Sequence, residues 1–374
     1  MKLIIHFICE PDPRIGYGVC ALNFKKELEF ILPNNSFQIV ISDPRNQEKL
    51  HEVCEKLKQN QEKFNIINIH LTHGNSTKLL ELDIPGYKVL YTLFESEILP
   101  LGMKENCEKY DLILTATEWG ANILCDELPK EKIGVAPLGV DPLIFHSWEK
   151  NQERTDGDPF IFLAVGKYEK RKSYDEIIEA FELSFSEKSN TKLLLRLDNL
   201  FLADTYQQAS KLIKPERSHQ IFLVKSDPPG SFLKVEVMAQ LYRSSHCFLF
   251  PSKGEGWGLP LLEAISCGIP YIATNYSGQT EFLKYCNQSY SDVEFKKEII
   301  DDEFYLRYQK FDKDKVASWA KPDYKDLSKK MISIVEHWEN IKKQALLNST
   351  VMHQKFSWRN STENLLNLVI NKLS

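Results

Sequence analysis

The clearest sign of chemistry in this sequence of 374 residues is a glycine-rich loop that carries two glutamates. Residues 251–270 read P-S-K-G-E-G-W-G-L-P-L-L-E-A-I-S-C-G-I-P, with Glu255 in the loop and Glu263 in the helix that Pro260 would begin. Ionised carboxylates only accept hydrogen bonds, so they suit the hydroxyls of a sugar or a ribose. The helix start would offer N–H groups to an anion. A glycine-rich turn with two solvated glutamates stays open as an alternative.

A second candidate is a cationic loop in residues 165–180, V-G-K-Y-E-K-R-K-S-Y-D-E-I-I-E-A. Its four cations are Lys167, Lys170, Arg171 and Lys172. At the carboxyl end of a parallel strand they could clamp a diphosphate. Ser173 and Glu176 have the spacing of a capping box, which predicts the helix start. The alternative is a solvated basic loop.

A third candidate is the glycine pattern Gly16-x-Gly18-x-x-Ala21, which lies between a predicted strand and a predicted helix. This spacing matches the dinucleotide fingerprint and keeps a nicotinamide dehydrogenase open. However, six residues separate Ile8, the end of the strand, from Ile15, and a dinucleotide-binding turn is tighter than that. A flexible glycine loop near the ligand is the other interpretation.

Further polar residues follow predicted strands of the first half. His70 and His73 come after one strand, and Glu95 and Glu97 come after the next. Two histidines without nearby carboxylates are more typical of polar loop positions than of ligands, so we expect no metal site. The sequence has no G-x-S-x-G, H-E-x-x-H or Walker pattern, which argues against hydrolase, zincin and P-loop functions.

These residues need elements to position them, and short apolar runs alternate with amphipathic stretches along the chain. The apolar runs predict strands that include 160–165, 247–250 and 271–274, and the last fifty residues predict helices over 325–346 and 359–373. Strand–helix–strand repetition predicts an α/β protein with two doubly wound parallel sheets, whose carboxyl ends would face a central cleft. The polar stretch 147–159 predicts an interdomain linker. The expected division is an N-terminal domain over 1–146, a C-terminal domain over 160–345, and a helix over 346–374 that returns to the N-terminal domain.

Composition limits the function classes. The net charge of −5 and the pI near 6.1 argue against a nucleic-acid binder. Apolar runs are strand-sized and no signal peptide is recognisable, so we expect a cytoplasmic protein. The eight cysteines are scattered without a C-x-x-C pair, which predicts neither structural zinc nor a disulfide framework. No basic amphipathic helix stands out, although peripheral contact with the inner face of a membrane is left open.

Taken together, these segments resemble family-4 (group 1) retaining glycosyltransferases of the GT-B fold. The segment 254–270 resembles that family's signature, and 165–181 is similar to its donor-phosphate segment. Residues 137–145, P-L-G-V-D-P-L-I-F, are similar to the strand that ends the family's N-terminal domain, and 16–19 to its glycine loop.

The resemblance implies roles for individual residues. Glu255 would contact the transferred sugar, Glu263 the donor ribose, and Lys172 with Lys167 the leaving diphosphate. Other residues on the donor side would be Gly16, Gly18, Arg171, Gly256, Trp257, Gly258 and Leu259. Two departures from the family are Ser173, where glycine is usual, and Glu95, where many members have a histidine. Glu95 and His73 would lie on the acceptor or sugar side.

The implied reaction moves a hexose from a UDP- or GDP-sugar to a hydroxyl of a glycan, lipid-linked or protein acceptor, without cofactor or metal. Leaving-group stabilisation by the cations would drive it. Another GT-B enzyme, such as an epimerase or phosphorylase, and a non-catalytic sugar-nucleotide-binding protein remain alternatives. The sugar, the base, the acceptor and the oligomeric state are not determined by the sequence. Residues 224–229 are a candidate for reading the base.

Overall fold

The computed structural model describes residues 2–32, 37–75, 83–147, 157–199, 202, 204–225, 233–286 and 291–372. The chain divides into two compact units. Unit 1 contains Met1–Gly139, Glu303–Ala317 and Phe356–Ser374, and unit 2 contains Val140–Asp302 and Ser318–Lys355. Most of the predicted linker, and residues 226–229 of the segment that could read the base, lie outside the described residues.

Unit 1 is built on a parallel six-stranded sheet with the order β2-β1-β3-β4-β5-β6. The strands are β1 (Leu3–Ile8), β2 (Phe37–Ser42), β3 (Asn65–Leu71), β4 (Tyr87–Tyr91), β5 (Leu112–Thr115) and β6 (Ile133–Val135). The helices are α1 (Gly16–Ile31), α2 (Gln47–Asn60), α3 (Met103–Cys107), α4 (Glu118–Cys125), α10 (Glu303–Tyr308) and α13 (Trp358–Ile370). All six residues of β1 are buried. A central parallel strand covered on both faces requires such an apolar run.

Unit 2 contains a second parallel six-stranded sheet, with the order β12-β11-β10-β7-β8-β9. Its strands are β7 (Phe160–Val165), β8 (Thr191–Arg196), β9 (Ile221–Leu223), β10 (Cys247–Phe250), β11 (Tyr271–Thr274) and β12 (Asp292–Val293). The helices are α5 (Tyr174–Ser184), α6 (Thr205–Ser210), α7 (Val235–Arg243), α8 (Leu259–Ser266), α9 (Thr280–Leu283), α11 (Tyr324–Glu336) and α12 (Trp338–Lys355). The prediction of two doubly wound parallel sheets is confirmed.

A small antiparallel pair, β13 (Phe295–Ile299) with β14 (Ser318–Pro322), adds to unit 2. The sequence did not predict it, because the region is rich in charged residues and lacks strand periodicity. Between its two strands the chain passes into unit 1 as Glu303–Ala317.

Two predicted elements differ from the structure. The segment 137–145, expected as a strand, is mostly irregular, and a side chain at Gly139 would lie 2.4 Å from the backbone nitrogen of Trp358, where α13 begins. The helix expected over 325–346 is two helices, α11 and α12, that meet at His337. The break allows buried Trp338 to pack edge-on against Phe160 of β7, with ring centroids 5.3 Å apart.

The eight cysteines are free thiols, and six of them are buried. Over the described ranges, no helix is long and apolar enough to cross a membrane.

Candidate functional site

Each sheet has one switch point, a place between two neighbouring strands from which the following strands are added in opposite directions. In unit 2 this switch point lies between β7 and β10, because β8 and β9 extend the sheet from β7 while β11 and β12 extend it from β10. In unit 1 it lies between β1 and β3. Ligands of doubly wound sheets bind outside the carboxyl ends of the strands at such points. The cationic loop follows β7 and the glutamate loop follows β10, so both predicted motifs meet there.

Glu255 is the centre of a buried polar cluster at this switch point, which we call the Glu255 cluster (Glu255, Arg171, Lys172 and Ser252). Its Oε1 atom lies 2.5 Å from Lys172 Nζ and 2.9 Å from Arg171 Nη1. The Ser252 hydroxyl donates to the same oxygen at 2.5 Å. Glu255, Arg171 and Lys172 are only 6%, 8% and 9% exposed. Two cations therefore share one carboxylate in a site mostly withdrawn from water.

This arrangement keeps the Glu255 carboxylate charged. Burial alone would raise its pKa, but Arg171 and Lys172 outweigh that effect and lower the pKa of Glu255 to about 2. Burial lowers the pKa of Lys172, and Glu255 counteracts this. Arg171 also donates to the Gly254 carbonyl at 2.6 Å and pairs with Glu169 at 3.0 Å. The cluster is thus a pre-formed arrangement of charges that could hold a sugar hydroxyl and a phosphate side by side.

The backbone of the glutamate loop is fixed by the turn that follows β11. The amide of Glu255 donates to the Ser277 hydroxyl at 2.8 Å, and the Gly278 amide donates to the Glu255 carbonyl at 2.9 Å. A side chain at Gly278 would lie 2.4 Å from the Gly256 carbonyl oxygen. Only glycine permits this close approach. Sequence reasoning missed Ser277 and Gly278, because nothing near the motif indicates which later turn packs on it.

The capping box predicted at Ser173 and Glu176 was wrong. Ser173 has φ 60° and ψ 37°, and its hydroxyl makes no bond to the first turn of α5. Glu176 instead pairs with buried Lys253, 2.8 Å away. The left-handed backbone at Ser173 is a conformation that glycine adopts without strain. It therefore gives a physical reason for the glycine expected at this position.

The amino terminus of α8 lies where the sequence predicted a helix start with free N–H groups. Gly258 precedes it with φ 101°, a left-handed conformation that favours glycine. The amides of Leu261 and Leu262 both donate to the Gly258 carbonyl, at 3.0 and 3.2 Å. Because proline has no amide hydrogen, an anion here would meet the amides of Gly258 and Leu259. The neighbouring Trp257 side chain is buried against Phe282, with ring centroids 5.3 Å apart.

Glu263 faces a different environment in the second turn of α8. The Tyr242 hydroxyl of α7 donates to its Oε2 atom at 2.8 Å. Burial raises the pKa of Glu263 to about 7, against the smaller opposite effect of that hydrogen bond. The two glutamates of one motif thus differ: Glu255 is held charged by cations, whereas Glu263 titrates near neutral pH. Tyr242 was not singled out from the sequence because helical spacing alone marks it only as a core residue.

The remaining unit 2 candidates lie along the same two loops. Lys167 is half-buried directly after β7, next to Gly166. Lys170 is exposed and pairs with Asp301, with Nζ and Oδ1 2.5 Å apart. The four cations of the basic loop therefore have three environments: Arg171 and Lys172 are buried against Glu255, Lys167 is half-buried, and Lys170 is exposed.

Unit 1 has its own polar face at the switch point between β1 and β3, which we call the His73 face (Tyr17, His73, Glu95 and Gln309). His73 follows β3 and contacts the Tyr17 ring edge-on at 5.3 Å between centroids. The Tyr17 hydroxyl donates to the Leu93 carbonyl at 3.2 Å and accepts from the Leu93 amide at 2.9 Å. Burial raises the pKa of Tyr17, and the charge of half-buried Glu95 adds to this. Tyr17 lies inside the predicted glycine loop but was not weighed from the sequence.

The two glycines of that loop have different surroundings. A side chain at Gly18 would lie 2.1 Å from the Asp12 carbonyl oxygen, so the loop after β1 packs directly on α1. A side chain at exposed Gly16 would meet nothing within 4 Å among the described atoms. Close packing therefore requires glycine at Gly18, whereas Gly16 leaves room for a side chain at the start of α1.

His70 is not a loop residue, as was expected, but an inward residue of β3. Its Nδ1 atom lies 2.7 Å from the Tyr110 hydroxyl, and burial lowers its pKa to about 3. His6 of β1 is likewise buried, between Asn68 at 3.0 Å and Ser42 at 2.8 Å. Both histidines are neutral core residues. Across the described residues, no group of three or more His, Cys, Asp or Glu side chains is placed to hold a metal ion.

Comparison with known proteins finds a family whose model matches the segment that carries Glu255 and Glu263. Residues 229–289, which include the glutamate loop and α8, match the model described as glycosyl transferases group 1. The chain is a relative of the group 1 glycosyltransferases. A capsular polysaccharide biosynthesis glycosyltransferase of Staphylococcus aureus, CapM, is 26% identical over 177 residues, which is 45% of this chain and 44% of CapM. The chain therefore aligns with less than half the length of this curated relative.

Solved glycosyltransferase structures extend the likeness to the fold of the whole chain. Anabaena HepE, crystallised with UDP and glucose, has a TM-score of 0.68 at 13% identity over 99% of this chain and 100% of its own. Sucrose-phosphate synthase from Thermosynechococcus elongatus has a TM-score of 0.71 at 15% identity over 100% of this chain and 99% of its own. The expectation of a GT-B fold is confirmed for this relative of the group 1 family.

Proposed function

We propose that this chain is a retaining glycosyltransferase that moves a hexose from a UDP- or GDP-sugar to an acceptor hydroxyl in glycan or glycoconjugate biosynthesis. The observation that carries the proposal is the Glu255 cluster at the switch point of unit 2. A carboxylate with a pKa of about 2 accepts bonds from sugar hydroxyls, and two buried cations beside it match a diphosphate. The UDP and glucose bound to HepE are consistent with this ligand class.

The proposed mechanism depends on the leaving group. As the bond between sugar and diphosphate breaks, negative charge grows on the phosphate oxygens, and Lys172, Arg171 and Lys167 stabilise it. Lys172 is released from Glu255 for this purpose when the carboxylate turns to the sugar hydroxyls. The acceptor hydroxyl attacks the anomeric carbon from the side on which the diphosphate leaves, its proton passes to the departing phosphate, and the configuration is kept. These cations supply the charge stabilisation that a divalent metal gives in other transferases.

The acceptor is assigned to unit 1, where the His73 face offers hydrogen-bonding groups. Glu95 and His73 would contact the acceptor or the transferred sugar there, and Glu263 the donor ribose. A glycan, a lipid-linked sugar and a protein side chain are the acceptor classes under this proposal. The site of action would be the cytoplasm, including the inner face of a membrane.

A thermal-shift screen against UDP, GDP, ADP and NAD, followed by incubation with the matching nucleotide-sugars, tests the proposal. A nucleotide at 100 times its dissociation constant should add about 2.7 kcal/mol of stability. We expect UDP or GDP to stabilise the protein, and NMR of the product to show the anomeric configuration of the donor. Stabilisation by NAD alone, or a product of inverted configuration, would contradict it. Binding without any turnover would support a non-catalytic nucleotide-sugar-binding protein.

A further inference from the structure

The segment Glu303–Ala317 is inserted from unit 2 into the fold of unit 1. Three contacts fix it there. The Leu101 amide donates to the Lys310 carbonyl at 2.7 Å, the Asn75 side chain donates to the Tyr308 carbonyl at 2.9 Å, and Lys315 forms an ion pair with Glu127. The segment is therefore a bound part of unit 1 rather than a free loop.

Gln309 is the residue through which this segment reaches the His73 face. Its side chain is buried, with an exposed fraction of only 4%. Asn75 Nδ2 lies 3.2 Å from Gln309 Oε1, and Gln309 Nε2 lies 3.5 Å from His73 Nδ1. Asn75 and His73 both belong to the loop that follows β3, so one glutamine joins two positions of that loop.

The Tyr308 carbonyl determines which groups donate and which accept in this series of hydrogen bonds. A carbonyl oxygen only accepts, so Asn75 must present its amide nitrogen to Tyr308. That same nitrogen donates to Gln309 Oε1, which leaves the Gln309 amide nitrogen facing His73. An amide nitrogen only donates, so His73 Nδ1 must accept. Neutral His73 then carries its proton on Nε2.

The backbone on either side of His73 is held by the end of β4 and the residue that follows it. The Thr72 amide donates to the Tyr91 carbonyl at 3.2 Å, and the Gly74 amide donates to the Thr92 hydroxyl at 2.9 Å. The ring also contacts Tyr17, as described above, while the side chain as a whole remains exposed. The contacts with Tyr17 and Gln309 and the anchored backbone therefore hold the ring in one orientation.

We propose that Gln309 is a positioning residue that holds neutral His73 in the Nε2–H form, so that unit 1 presents a hydrogen-bond donor to an oxygen of the acceptor or transferred sugar. The donation to a sugar or acceptor oxygen rests on the proposed function, whereas the tautomer of His73 does not. A residue from the inserted segment thus decides which nitrogen of His73 carries the proton and donates.

The test is long-range proton–nitrogen NMR of the full chain labelled with ¹⁵N-histidine, recorded about two pH units above the ordinary histidine pKa of 6.5. The His73 signal is the one lost in His73→Gln. We expect the Nε2–H pattern in the unmodified protein. In Gln309→Glu a carboxylate replaces the donor and can only accept, so the signal should change to the Nδ1–H pattern. Lys313→Ala, at an exposed position of the same segment, is the matched control and should leave the signal unchanged.

Two results would overturn the positioning role: an Nδ1–H pattern in the unmodified protein, or an unchanged pattern in Gln309→Glu. If Gln309→Glu does not fold, Asn75→Asp provides a second variant, because a carboxylate there can no longer donate to Gln309. UDP affinity measured on the same samples separates the two proposals. Absence of nucleotide binding with the expected tautomer would reject only the proposed function, and normal binding with the wrong tautomer would reject only the role of Gln309.

Discussion

The Glu255 cluster of unit 2 and the His73 face of unit 1 occupy the same topological position in two similar sheets. The cluster is held together by ion pairs, whereas the face is held together mainly by hydrogen bonds and ring contacts. In the cluster, two cations lie within 2.9 Å of one carboxylate oxygen, and all three side chains have little exposure to water. On the face, contacts run mainly through hydroxyl, imidazole and amide groups. A doubly wound sheet therefore provides the location of a site, and the side chains on its loops decide what the site can bind.

The two regions should also respond differently to the loss of one side-chain group. Removing one charge from a buried cluster leaves its partners without compensation. Removing one neutral hydrogen bond costs much less. Substitutions in the two regions should therefore differ widely in their effects on stability and binding.

Glu255→Gln should have the largest effect. The buried ammonium and guanidinium groups lose their shared counter-charge, so the free energy of unfolding should fall by about 3–5 kcal/mol. Turnover of the nucleotide-sugar should fall at least about a hundredfold, the usual loss for one transition-state contact. Urea denaturation and initial rates measure the two effects. The double variant Glu255→Gln with Lys172→Met should regain part of the stability but no activity. An unchanged denaturation midpoint would show that the cluster is not electrostatically coupled.

Lys172→Ala should weaken UDP or GDP binding by about 1.5–3 kcal/mol, the usual value of a charged hydrogen bond. The cation is buried beside Glu255 and faces the proposed phosphate position. Lys170→Ala is the matched control, since that neighbouring lysine is exposed and pairs with Asp301. Isothermal titration calorimetry of both variants makes the comparison. Equal affinities for the two variants would remove Lys172 from the phosphate site.

The two glutamates should give opposite pH dependences of stability. The pKa of Glu263 is raised from 4.5 to about 7, so its contribution is present below pH 4.5 and is lost as the pH rises through 7. The pKa of Glu255 is lowered to about 2, so its contribution is present above pH 4.5 and is lost as the pH falls towards 2. Denaturation between pH 5 and 8 should show Glu263→Gln with a flatter profile, by about 2–3 kcal/mol. A profile identical to that of the unmodified protein would contradict the raised pKa.

Tyr17→Phe should have the smallest effect. It removes the hydroxyl that bonds both the amide and the carbonyl of Leu93, and we expect a loss of about 1 kcal/mol of stability. Nucleotide affinity should change far less than in Lys172→Ala, because Tyr17 brings no positive charge and its hydroxyl is already bonded to Leu93. Thermal denaturation and the same calorimetric titration measure both properties. A change in UDP affinity as large as that of Lys172→Ala would break the contrast between the two regions.

Much of the fold and part of the site could be predicted from local patterns. The strands β7, β10 and β11 have the bounds expected from their apolar runs, because fully buried parallel strands tolerate little else. The loops that hold Glu255 and Lys172 were found because each carries its charges and glycines within a few positions. By contrast, the helix break at His337 and the hairpin of β13 and β14 depend on packing between distant segments. Such packing produces no periodic pattern of apolar residues in the local sequence.

Local sequence patterns alone establish that this chain alternates strands and helices, that a glutamate lies in a glycine loop after β10, and that cations precede α5. Periodicity and composition are local properties, and they act before distant segments meet. Only the tertiary structure decided that Lys172 pairs with a residue 83 positions away, and that Gln309 reaches a histidine 236 positions away. It also decided that Ser173 adopts a left-handed backbone rather than a helix cap. The physical reason is that strand order brings distant loops to one switch point, and no short window of sequence encodes that order.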